Sequence, residues 1–161
     1  MPVTTYEPIT TTTLTSSTTS FTLSNIPSTY TDLVLVIDGS PISGGSNMDS
    51  NWQVNGDTGT NYSDTRLQGN FSDRSGNASS ARCGQPWATN RWYTYLHFFD
   101  YANTNINKVT LARSGTYDGS LELYAGLWRS TAAITSITLI SGQSRNYTSG
   151  TVATLYGIKA A

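Results

Sequence analysis

Only two lysines (Lys108, Lys159) and two glutamates (Glu7, Glu122) occur among 161 residues, whereas serine and threonine together number 47. That imbalance removes the material of surface helices. Lys and Glu are strong helix formers, Thr loses χ1 freedom in a helix, and Ser competes with the helical backbone for hydrogen bonds. Thr, Tyr, Val and Ile suit a pleated, half-buried surface instead. Charged residues make up 12% of the chain, against roughly 25% in an ordinary soluble domain. Solubility must then come from hydroxyls and amides, as in all-β domains that meet other proteins or sugars. The composition predicts an antiparallel β-sandwich.

A chain of this length forms one domain and buries roughly 68–70% of its unfolded surface around a single core. The formal net charge of −1 and the seven scattered arginines give no footprint for nucleic acid. A single cysteine, Cys83, allows neither an internal disulfide nor a thiolate zinc site. Its polar surroundings, Ser79–Gln85, predict an irregular segment and a dispensable thiol. The opening MPVTTYEPITTTT has no basic start and no apolar core, so no secretory signal is expected. No apolar run approaches the ~18 residues of a membrane span, and no membrane partner is expected.

Residues 1–20 separate on composition, with nine Thr, three Ser and two Pro. Such a segment buries little apolar area against the entropy of ordering it, so it is expected to be an extended, mobile arm. Thr favours strands, and the arm could add to a sheet edge once a partner is present. Residues 21–161 are the predicted sandwich. About nine strands are expected there: 20–23, 30–38, 51–54, 62–71, 92–101, 106–113, 120–128, 134–140 and 152–158. Their spacing is that of a sandwich or jelly roll. Residues 30–38 (YTDLVLVID) are apolar on both faces and are therefore expected at a sheet centre. Asn55-Gly56 reads as the turn of a hairpin returning through 62–71. Residues 72–90 read as irregular, and 127–134 as a loop or a single helical turn.

The aromatic run 92–101 alternates Trp92, Thr94, Leu96 and Phe98 with Tyr93, Tyr95, His97, Phe99 and Tyr101. One set suits a core. The other carries amphipathic rings that suit a wet boundary. Both a loop-covered outer face and a contact surface for a subunit or a sugar ring fit that set.

Catalytic chemistry is hard to locate. A glycosidase needs two placed carboxylates, but Glu7 lies in the arm and Glu122 sits mid-strand between Leu121 and Leu123. Asp49 with Asp57, and Asp64 with Asp73, can be paired on paper, although Asp among Gly, Ser and Asn is usually a turn former. His97 has no Ser or Cys near it in a triad motif. Residues 55–61 (NGDTGTN) superficially resemble a calcium loop, but Gly59 and Arg66 occupy positions that need oxygen ligands. No catalytic residue, metal site or cofactor is predicted, and the chain is not read as an enzyme.

Specific strings go further than composition. The run Ile26–Leu35 (IPSTYTDLVL) resembles the start of a β-sandwich module that recurs in tailed-phage virion proteins. Asn55–Tyr62 (NGDTGTNY), Asp100–Asn103 (DYAN), Leu127–Leu139 (LWRSTAAITSITL) and Thr154–Lys159 (TLYGIK) resemble later parts of that module, in the same order. The resemblance spans residues 20–159. It implies a virion structural protein, assembled in the bacterial host cytoplasm, with no catalytic residues to transfer. It also implies a closed homo-oligomer, a trimer by analogy. The preferred reading is a capsid decoration (cement) protein that contacts the major capsid protein. The alternative is a receptor- or glycan-binding module of a tail fibre or spike. Trp52, Trp87, Trp92, Tyr117 and Trp128 would then stack on sugar rings, with Tyr93 and Tyr95 on the contact face.

Overall fold

The strand that is apolar on both faces, Asp32–Gly39 (β3 in chain order), lies third in an eight-stranded antiparallel sheet. Leu33, Leu35 and Ile37 point into the core, and Val34 on the opposite face is fully buried too. A computed structural model supplies the coordinates and describes residues 5–69, 71–117 and 119–159. The other strands are β1 (Tyr6–Thr13), β2 (Ser20–Leu23), β4 (Ser50–Val54), β5 (Tyr62–Gln68), β6 (Phe71–Ala78) and β7 (Ala81–Gly84). They continue with β8 (Trp92–Phe98), β9 (Lys108–Thr116), β10 (Leu121–Trp128), β11 (Ile137–Ser141) and β12 (Val152–Ile158). The large sheet has the order β1-β12-β3-β8-β9-β10-β5-β6, and a second sheet has the order β2-β11-β4-β7. The protein is an all-β sandwich, and no helix occurs among the described residues.

Twelve strands replace the expected nine, and the three additional ones are instructive. The Thr-rich segment is extended, but it does not hang free. As β1 it pairs with β12 from Tyr6↔Ile158 to Thr13↔Val152 and forms one edge of the chain's own large sheet. Ile9 and Leu14 pack against the core from that edge. The 72–90 region is not irregular throughout, because it holds β6 and β7. Ser, Asp, Arg and Gly dominate β6, so no apolar alternation marked it. Residues 129–134 form a loop after β10, with no helical turn.

Asn55-Gly56 does form a tight turn. Both residues have positive φ (54° and 67°), and the Asp57 N–H donates to Val54 O at 2.9 Å. The turn does not close a hairpin, however. β4 pairs with β11 and β7, whereas β5 pairs with β10 and β6, so the chain crosses here from one sheet to the other. Asp57 fixes the crossover by accepting from Gly59 N (2.8 Å), Asn61 Nδ2 (2.9 Å) and Trp128 Nε1 (2.6 Å). The Trp128 and Asn61 donors hold its carboxyl below the usual range.

The core sits between the sheets. Trp52 on β4 meets Tyr62 and Phe98 of the large sheet edge-on, with centroids 5.5 and 5.3 Å apart. Gly39 lies under the Trp92 indole so closely that a Cβ there would come within 1.9 Å of the ring. Cys83 is in strand β7 and fully buried, with Sγ donating to Ser50 O at 3.3 Å. Burial pushes its thiol up to about 12, so Cys83 is a core group in a strand, not part of the irregular segment expected.

Candidate interaction surface

The strands β9, β10 and β5 seat polar groups among the core residues Tyr62, Ala112, Tyr124 and Trp128 and turn aliphatic side chains outward. On the core side β9 carries Lys108, Thr110 and Ser114, β10 carries Glu122, and β5 carries Asp64, each no more than 4% exposed. On the outward side, Val109, Leu111, Leu121, Leu123 and Leu67 are 42 to 65% exposed. A one-residue slip would carry this aliphatic set inward, but it would expose Tyr62, Tyr124 and Trp128. The pairing does not slip. β10 runs in unbroken register with β9 from Leu121↔Gly115 to Trp128↔Lys108, and with β5 from Glu122↔Gln68 to Trp128↔Tyr62.

The inward aromatic residues hold the register, and several of the buried polar groups beside them find partners. Lys108 Nζ donates to the carbonyls of Asn103 (2.6 Å), Ile106 (2.8 Å) and Thr131 (3.1 Å), matching its three N–H bonds. Burial nevertheless holds its ammonium below the ordinary lysine range. Thr94 Oγ1 donates to Ser114 Oγ at 3.0 Å. Tyr124 Oη donates to Glu122 Oε2 at 2.5 Å, and Arg66 Nη1 lies 3.9 Å from Glu122 Oε1. Desolvation raises the Glu122 carboxyl above the usual range, against the Tyr124 hydrogen bond and the Arg66 charge.

Beside this network, Asp64 and Asp73 do come together, as they were paired on paper. Arg82 spans them. Its Nε and Nη2 lie 2.8 and 2.7 Å from Asp64 Oδ1, its backbone N–H donates to Asp64 Oδ2 at 3.1 Å, and Nη1 reaches Asp73 Oδ2 at 2.8 Å. The Arg82 hydrogen bond holds Asp73 below the usual carboxylate range. A polar cleft of about 340 Å³ opens here, lined also by Asp49 and Asn51. Arg82 clamps both Asp64 and Asp73 at its wall. Asp49 and Asp57 do not form a pair, since Asp57 is held at the crossover and Asp49 hydrogen-bonds Gln85 and Gln143. Among the described residues no group of three or more His, Cys, Asp or Glu gathers as a metal cluster would.

The outward face is continuous across strands. The row Tyr95–Arg113–Leu123–Leu67 crosses β8, β9, β10 and β5, and the row His97–Leu111–Ala125 runs alongside it. Arg113 lays its guanidinium over the Tyr95 ring at 4.5 Å, exposing an aliphatic stem. His97 stacks on Phe99 at 4.0 Å and lies 2.9 Å from Asp32 Oδ2. Two depressions of about 390 and 610 Å³ sit on this face and share Leu123 as a wall.

The predicted aromatic sites divide sharply. Trp52 and Trp92 are fully buried and Trp128 is 3% exposed, so these three are core residues and present no face for stacking. Burying an indole between two sheets stabilises a sandwich more than exposing it would. Trp87 is half-buried beside the Asn47 bridge. Tyr95 is half-buried, and its hydroxyl, 3.3 Å from Tyr6 Oη, is pushed up to about 12 chiefly by desolvation. Tyr93 and Tyr117 are exposed, and together with Arg91, Gly115 and Thr116 they line a depression of about 460 Å³. Arg91 forms an ion pair there with Asp38.

Sequence reasoning missed the leucines of this face, although the alternation Leu121-Glu122-Leu123-Tyr124 carried the signal. An apolar residue every second position would normally mark the core side. No protein-family model matches the chain, and no curated protein or solved structure matches it either.

Proposed function

We propose that this chain is a structural protein of a tailed-phage virion, a capsid decoration (cement) protein that acts through protein–protein contacts. One observation carries the contact-forming part of that reading. Three adjacent strands bury charged and hydroxyl side chains and direct Val109, Leu111, Leu121, Leu123 and Leu67 to the surface. Five such side chains with Tyr93 present on the order of 500 Å² of apolar surface, within the ~300–600 Å² of a monomer's largest patch, which is often functional. Its concentration on adjacent strands supports reading this face as a contact surface. The virion assignment rests on the ordered strings of residues 20–159 and on a frame built from hydroxyls and amides with few charges. Particles made with and without the protein test it. Removal should lower the temperature or osmotic shock that particles survive and leave host adsorption intact. Unchanged particle stability with lost adsorption would overturn the cement assignment.

One observation favours the glycan-binding alternative. Tyr93 and Tyr117 are exposed around one depression, and the Arg91–Asp38 pair borders it. Aromatic faces beside paired planar polar groups suit a sugar ring. In that case Tyr93→Ala should abolish adsorption while particle stability is unchanged.

A further inference from the structure

We infer that the inverted outer face of β8, β9, β10 and β5 is covered by a second copy of this chain. This rests on reading that face as an interface, and it holds for a cement protein and a tail module alike. Chemistry argues first. Interfaces formed as chains fold are as apolar as a domain core cut in half, whereas surfaces that meet a preassembled lattice are more polar. The row Leu67–Leu123 and the flanking Leu111 are aliphatic, and the Arg113 charge is folded against Tyr95. Leucines left bare until a lattice was available would be an aggregation hazard throughout synthesis, and an identical copy is the partner always at hand.

Size and shape argue next. On the order of 500 Å² of apolar area is more than half of the ~800 Å² that each partner contributes to a standard interface, and Tyr95, His97, Arg113 and Thr65 extend the same face. The face carries both protrusions and hollows. Leu121 is 65% exposed, and two depressions meet at Leu123. A surface that must fit its own copy needs both on the same patch. The outer surface at the opposite edge of the sheet differs, because Thr11 and Thr154 there hydrogen-bond each other at 3.1 Å.

Light scattering on the purified full chain tests the inference, with Leu111→Asp, Leu123→Asp and, as control, Thr13→Asp. The unmutated chain should have the mass of two or more copies, and both leucine variants should run as folded monomers while Thr13→Asp stays assembled. A monomeric unmutated chain, or leucine variants that stay assembled, would overturn it. Should the Asp variants not fold, Leu123→Cys and Thr13→Cys replace them, since buried Cys83 gives no background. Maleimide should then label Leu123→Cys about tenfold or more slowly than Thr13→Cys, and equal rates sink the idea. A monomeric chain whose Leu123→Asp variant no longer binds particles would give the face to another virion protein. That outcome removes this inference and leaves the interface reading standing.

Discussion

The two ends of the eight-stranded sheet solve the same packing problem in opposite ways. Toward β12 and β3, aliphatic groups fill the core side (Leu33, Leu35, Ile37, Ala153, Leu155), and hydroxyl pairs such as Thr11–Thr154 and the Glu7–Lys159 ion pair decorate the margin. Toward β9, β10 and β5 the core side holds Lys108, Ser114, Glu122 and Asp64, and the solvent side holds leucines. The first end can stabilise itself through the hydrophobic effect. The second also packs Tyr62, Tyr124 and Trp128 inward, and it depends besides on hydrogen bonds within, because each unpaired buried charge would cost several kcal/mol. It also leaves apolar area for an assembly to cover. A strand's alternation therefore reports two environments, and only the fold says which is the inside of the domain and which is the inside of the complex.

Breaking the polar interior should have the largest effect. Arg82→Met strands Asp64, whose side chain is 1% exposed, without its counter-ion, and should cost roughly 3–5 kcal/mol in urea unfolding. The same lesion should make stability less dependent on acid. The folded Asp73 carboxyl is held low by Arg82, so its contribution is complete above the usual carboxylate range and is lost as pH falls through the folded value. The variant should lack that part of the loss.

Leucines at the two ends sharpen the comparison next. Leu35→Ala, in the conventional core, should cost about 2–5 kcal/mol. Leu123→Ala in a dissociated Leu111→Asp background should change stability by no more than about 0.5 kcal/mol. Equal costs would mean that Leu123 is already packed within a single copy.

Deleting residues 1–14 should lower stability by about 2–3 kcal/mol and leave the body folded, because β1 contributes mainly Ile9, Leu14 and one edge ladder. Unfolding at all temperatures would make β1 a core strand in its own right. Near-native stability would return the segment to the role of a free arm.

The smallest effect is expected from Glu122→Gln. Burial raises the folded Glu122 carboxyl, with Arg66, Tyr124 and Asp49 as its charged and titratable neighbours. A raised carboxyl favours folding when protonated, so its stabilising share is complete below about 4.5 and is lost as pH rises through the folded value. The amide should therefore raise the melting temperature slightly at pH 7, and the gain should vanish in acid. A loss at pH 7 would mean that the Arg66 interaction outweighs desolvation.

Much of the fold was legible in the chain. The nine apolar or aromatic runs are all strands, and the Trp92–Phe98 alternation assigns core and surface as expected. β6 and β7 were not legible, because each is an edge strand paired on one side only, β6 with β5 and β7 with β4, and their polar, short sequences carry no apolar alternation. The tryptophans were the least legible part of the site. An indole is equally suited to a core and to a sugar platform, and nothing local distinguishes Trp52 from an exposed ring.

The class of structure is already present in the chain's chemistry. Its hydroxyl-rich, helix-poor composition and its spaced apolar runs leave a β-sandwich as the way to bury enough surface. Long-range pairing added that Asn55-Gly56 joins two sheets instead of two paired strands, that the Thr-rich segment forms an edge of the chain's own sheet, and that β9, β10 and β5 turn their leucines outward. Alternation within a strand specifies that two faces differ. Which of them meets the other sheet is set by long-range pairing, and by whether Lys108, Glu122 and Asp64 find partners once buried.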